Sequence, residues 1–104
     1  MSEFIRVGRL DALPPGSKLL ADLDGRAVAV FNVDGSVYAI DDICTHDGGP
    51  LAEGDLEGCV IRCPRHGARF DVRTGKALGF PAFEPVATLA VEVRQGEIFV
   101  DADT

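Results

Sequence analysis

The chain predicts an all-β fold, a small sandwich or barrel. Three observations carry this. Apolar runs are short and alternate or fill both faces, and glycine-centred turn signals recur between them. No segment sustains the 3.6-residue apolar period of a packed helix. With 104 residues the chain has room for one core, so residues 1–104 are expected to form a single domain.

Phe4, Ile5 and Val7 predict a first short strand, and Pro14-Pro15-Gly16 then breaks the chain. Lys18 to Leu23 reads as a strand and Asp24-Gly25 as a hairpin turn, in which glycine accepts the positive φ required. Ala27 to Val33 is apolar on both faces and is expected to lie centrally. Asp34-Gly35 repeats the hairpin signal before a strand over Ser36 to Ile40. Asp41 to Gly58 holds five glycine or proline residues and six acids, and reads as irregular with one helical turn near Leu51. Cys59 to Arg62 reads as a strand, with Cys59 as a small buried residue in it. Arg69 to Val72 leads on to a turn at Thr74-Gly75-Lys76. Two prolines four residues apart make Gly79 to Pro85 a covering loop, in which Phe80 and Phe83 either shield a site or pack into the core. Leu89 to Val93 alternates as a half-buried strand, Gln95-Gly96 turns, and Glu97 to Asp101 closes the fold.

Composition narrows the function classes. The apolar fraction of 46% is that of a globular chain. Seventeen acids against ten bases give a net charge of −7, which disfavours nucleic acid and anionic membranes as partners and favours a partner with a basic patch. No apolar run reaches the roughly 18 residues of a membrane helix, and residues 1–6 lack the pattern of a signal peptide. A cytoplasmic location is therefore expected. The three cysteines make an incomplete disulfide set, which agrees with a reducing compartment.

The chemistry concentrates in two boxes. Cys44-Thr45-His46 and Cys63-Pro64-Arg65-His66 are separated by sixteen residues, and together they hold both histidines and two of the three cysteines. Such a set points to a metal. Two readings compete on spacing. Zinc accepts two cysteines and two histidines, but zinc-finger spacing pairs cysteine with cysteine and histidine with histidine, whereas each box here mixes them. In a two-iron cluster one iron would take both cysteines and the other both histidines, each loop supplying one ligand to each iron.

The boxes resemble those of the Rieske iron–sulfur family, and the resemblance extends over nearly the whole chain. It includes Phe31 to Gly35, Tyr38 to Asp42, Gly48-Gly49-Pro50-Leu51, Phe70 to Gly75 and Pro81-Ala82. It implies a Rieske-type β-sandwich or barrel with cluster-binding loops over about 43–51 and 62–70. It further implies one [2Fe-2S] cluster held by Cys44, His46, Cys63 and His66, and no catalytic residue. Neutral imidazoles leave the centre less negative than four thiolates would, which eases electron uptake.

Two departures narrow the resemblance. Gly49 and Arg65 stand where the respiratory and photosynthetic members carry disulfide cysteines, and Ala68 and Phe70 where those members carry hydroxyl donors. A lower potential is expected. Both departures are similar to the ferredoxins of bacterial aromatic-ring dioxygenase systems. This implies a monomeric electron carrier in aromatic hydrocarbon catabolism, working between a flavin-dependent ferredoxin reductase and a terminal ring-hydroxylating dioxygenase. The alternative is a Rieske-like small subunit of a larger reductase, such as assimilatory nitrite reductase. A complete oxygenase is disfavoured, because a mononuclear iron site needs further histidines and none remains.

Of the other residues, Arg62, Arg65, Arg69 and Arg73 are expected to pair with Asp41, Asp42 and Asp47 across the two loops, the alternative being that one of them helps dock a redox partner. Gly48 and Gly67 are expected to allow tight turns that aim N–H groups at sulfur.

Overall fold

A computed structural model describes residues 2–45, 48–64, 67–80 and 82–104. His46, Asp47, Arg65, His66 and Pro81 lie outside the described residues, and with them the expectations placed on those side chains. The described chain forms β1 (Phe4–Arg9), a single 3-10 turn (Leu10–Ala12), β2 (Lys18–Leu23), β3 (Arg26–Val33) and β4 (Ser36–Asp41). It continues through β5 (Asp55–Glu57), β6 (Val60–Arg62), β7 (Arg69–Asp71), β8 (Thr88–Leu89), β9 (Val91–Arg94) and β10 (Glu97–Asp101). Three antiparallel sheets result, with strand orders β1-β10-β9, β2-β3-β4-β8 and β5-β6-β7. The all-β prediction holds.

The four-stranded sheet lies between two cores, and β3 explains why its sequence is apolar throughout. Val28 and Val30 face one core with Leu13, Leu23, Ala39, Leu89, Ile98 and Val100. The alternating Ala29 and Phe31 face the other, with Ile40, Ile61, Phe70 and Val72. All four β3 side chains are inaccessible to solvent, as alternation demands of a strand covered on both faces. Its hairpin turns follow their local chemistry. Asp24-Gly25 and Asp34-Gly35 carry positive φ at both positions, the geometry that matches strand twist. Asp22 and Asn32 each accept a hydrogen bond from the turn glycine, at 2.6 and 2.8 Å.

Four expectations require correction. The segment after the first box is not wholly irregular, because Asp55–Glu57 forms β5 and pairs with β6. The turn near Leu51 is not helical; it is a tight turn closed by the Gly54 N–H donating to the Leu51 carbonyl at 3.0 Å. Cys59 is half-buried in the β5–β6 turn rather than buried in a strand. Leu89 to Val93 is two strands: β8 pairs with β4, β9 pairs with β10, and Ala90 between them carries the chain from one sheet to the next. The Ala90 carbonyl accepts the Asp101 N–H at 2.9 Å, which secures this crossing.

Among the described residues no helix is long and apolar enough to cross a membrane. A groove of about 410 Å³ lined by Val37, Tyr38, Val72, Arg73, Leu89 and Val91 shares no residue with either box.

Candidate metal centre

The second box opens directly after β6, at Cys63. β6 and β7 pair through Ile61–Phe70 and Arg62–Arg69, so the chain must reverse over the residues between, beginning at Cys63. The first box follows β4, whose end is fastened by the Asp41 N–H to the Ala87 carbonyl and the Asp42 N–H to the Ala27 carbonyl, at 2.9 and 3.0 Å. The Asp42 carboxylate accepts the Ala52 N–H at 2.6 Å and closes the far side of that loop.

The two loops share one backbone pattern. The Cys44 N–H donates to the Gly49 carbonyl and the Cys63 N–H to the Ala68 carbonyl, both at 2.7 Å. Four residues after each cysteine a glycine N–H returns to the cysteine carbonyl, Gly48 to Cys44 at 2.7 Å and Gly67 to Cys63 at 3.2 Å. Gly48 and Gly67 hold φ of +77° and +74°, a region open to glycine and costly for other residues. The expected tight turns at these glycines are present, and their own N–H groups close the turns onto carbonyls. The shared Cys-x-x-x-Gly spacing is visible in the sequence but is masked there by the different histidine positions.

Both cysteines are 1% exposed and pack in the core that includes Phe31, Ile40, Leu51, Ile61 and Phe70. Ala68 and Phe70 are also fully buried in this cluster, and neither side chain has a hydroxyl to donate. The donor chemistry fits an iron–sulfur centre: two cysteine thiols are delivered by equivalent loops into an apolar core, with a histidine in the sequence two or three residues beyond each.

Asp47 and Arg65 lie outside the described residues, and among the described residues two of the expected partners pair elsewhere. Asp41 pairs with Arg26 at 2.7 Å, and Arg73 pairs with Asp71 at 2.9 Å. The Arg73 hydrogen bond holds the Asp71 carboxyl below its ordinary range, and Asp71 in turn keeps Arg73 firmly protonated. Arg69 donates instead to the Leu78 carbonyl at 3.2 Å. The reason is proximity, since each partner lies on the same or an adjacent strand or turn.

The loop over residues 79–85 joins the site from outside. At one end the Leu78 N–H donates to the Arg69 carbonyl at 2.9 Å, and at the other the Thr45 hydroxyl donates to the Glu84 carbonyl at 2.7 Å. Thr45 directly follows Cys44, so the loop is tied to the first box and, through Arg69, to β7, the strand after the second. Phe80 and Phe83 are exposed, which excludes the core-packing reading of them.

Residues 3–90 match the model of the Rieske [2Fe-2S] domain. The chain belongs to the Rieske family. Among similar proteins is the ferredoxin component of the naphthalene 1,2-dioxygenase/salicylate 5-hydroxylase systems of a Ralstonia species, 37% identical over 97 residues, 93% of each chain. Among solved structures, the ferredoxin of carbazole 1,9a-dioxygenase from Nocardioides aromaticivorans IC177 is 40% identical with a TM-score of 0.90, over 93% of this chain and 95% of that one. A chain in the complex of reduced oxygenase and oxidized ferredoxin of carbazole 1,9a-dioxygenase is 36% identical with a TM-score of 0.91, over 94% of this chain and 92% of that one. The cofactor of the family, one Rieske-type [2Fe-2S] cluster, accords with the donor set of the two loops.

Proposed function

We infer that this Rieske protein is the ferredoxin component of a ring-hydroxylating dioxygenase system, a one-electron carrier from a flavin-dependent ferredoxin reductase to a terminal oxygenase. The observation that carries the reading is the matched pair of loops that brings Cys44 and Cys63 into one apolar core. Cys44 and Cys63 would bind one iron and His46 and His66 the other. When bound, the [2Fe-2S] group supplies reversible one-electron redox chemistry. The chain supplies the rest. Leu51, Phe31 and Phe70 exclude water behind the cysteines, and the β6–β7 pairing and the glycine turns fix the loops in place.

One electron enters and one leaves, with no bond made or broken on the chain. Both histidines belong to the boxes, so no histidine remains for a mononuclear oxygenase iron, and the relatives described above are ferredoxin components. The same relatives favour the carrier over a reductase subunit. The carrier is read as cytoplasmic and monomeric, and a basic surface on its partner accords with the net charge of −7.

Reconstitution tests this. The cluster-loaded chain, reduced under anaerobic conditions, is mixed with the terminal oxygenase of carbazole 1,9a-dioxygenase from Nocardioides aromaticivorans IC177. Oxidation of the chain by one electron per molecule, with matching reduction of the oxygenase, is expected. A chain that is reduced normally but passes no electron contradicts the carrier reading.

A further inference from the structure

The exposed apolar side chains are unevenly placed. Leu20 and Val93 stand apart on the outer strands β2 and β9. Ile43, Phe80 and Phe83 instead border the candidate metal centre: Ile43 precedes Cys44, and the phenylalanines lie on the loop tied to Thr45 and to β7. Phe80 is 82% and Phe83 79% exposed. Their rings meet edge to face with centroids 6.3 Å apart, so they present one preformed aromatic surface rather than two loose side chains. Water gains nothing from such a pair, whereas a partner surface that covers it does.

We propose that the Phe80–Phe83 pair is the anchor by which this chain docks on its terminal oxygenase. The inference rests on the carrier reading above. Electron transfer slows steeply with distance, so an acceptor must bring its own centre close to the two boxes. The loop carrying the pair is fastened beside Cys44 through Thr45 and to β7, the strand after the second box, through Arg69, so it lies in the path of a body that approaches the candidate centre. Redox contacts are small, and in small interfaces a few aromatic side chains carry most of the binding energy. The matching oxygenase surface is an apolar recess for two rings. Basic side chains around the recess would attract a chain of net charge −7 and raise the encounter rate.

The test compares the cluster-loaded wild-type chain with the F80A/F83A double variant, using the Nocardioides aromaticivorans terminal oxygenase as probe. Stopped-flow oxidation of the reduced chain gives the second-order rate, and calorimetric titration gives Kd. The double variant is expected to lose about tenfold in rate and in affinity. Its visible spectrum, midpoint potential and oxidation by ferricyanide should match the wild type. F80Y/F83Y, which keeps both rings, is expected to restore most of the loss. Added salt should slow wild type and double variant by the same factor, because the anchor is apolar. A double variant that reduces the oxygenase at the wild-type rate overturns the proposal. So does a loss that appears equally with ferricyanide, since the defect then lies in the centre itself. A wild-type chain that is reduced normally but leaves the oxygenase oxidised refutes the carrier reading, and the proposal with it.

Discussion

At the scale of single residues, the two boxes are proposed to set the chemistry and their neighbours to tune its potential. Replacing His66 with cysteine exchanges a neutral ligand for a thiolate, adding negative charge where an electron must enter. The His66→Cys chain is expected to keep its cluster and to show a lower midpoint potential in a spectroelectrochemical titration. A substitution at Ala68 is expected to act in the opposite direction. Ala68 is fully buried, its carbonyl holds the Cys63 N–H, and it has no hydroxyl to offer. Ala68→Ser supplies one. A charge-assisted hydrogen bond worth about 1.4 kcal/mol to the reduced state raises a one-electron potential by about 60 mV. An unchanged potential in the serine variant would show that the hydroxyl does not reach the centre. These proposed roles are readable in the sequence because residue type and spacing are local. The exposure of Phe80 and Phe83 is not. Their hydrophobicity is compatible with a core position, and only the two tethers of their loop, to Arg69 and Thr45, decide otherwise.

At the scale of elements, turns carry more of the fold than strands of three residues can. Gly75 has φ of +81°, and a Cβ there would lie 2.0 Å from the Val86 carbonyl oxygen. The same glycine's carbonyl accepts the Val86 N–H at 2.8 Å. Gly75→Ala must therefore push the 72–76 turn away from a buried valine of the site's core, at a cost of about 3 kcal/mol, measurable as a fall in Tm. Asp101 fastens the last strand to the first. Its carboxylate accepts the N–H groups of Glu3 and Asp103, both at 2.9 Å, and the Glu3 bond is the first cause of its lowered pKa. A lowered folded pKa contributes stability above the ordinary aspartate value of about 3.9, and this is lost as pH falls through the folded value. Asp101→Asn is expected to lower Tm at pH 6, with the gap to wild type narrowing below about pH 4. A gap that stays constant with pH would assign the effect to packing. The hairpins at Asp24-Gly25 and Asp34-Gly35 were readable because turn chemistry is local. β5 was not, because glycines and acids dominate its surroundings and its pairing with β6 is settled by register. The split at Ala90 was hidden for a related reason: alternation continues unchanged while the strand changes sheets.

At the scale of the molecule, one doubly covered strand organises everything. β3 presents Val28 and Val30 to one core and Ala29 and Phe31 to the other, and the second core is the one that receives Cys44 and Cys63. The candidate metal centre is thus built onto the sheet system rather than appended to it. Its surroundings are dry on the cysteine side, and the loop carrying Phe80 and Phe83 lies open at its edge. The central claim, a carrier that holds and passes one electron, is tested most directly by a spectroelectrochemical titration of the iron-loaded chain. A coloured protein that bleaches in a single one-electron Nernst wave, accounting for one electron per chain, is expected. A colourless protein carrying one zinc and showing no wave, although iron was available during expression, would contradict it.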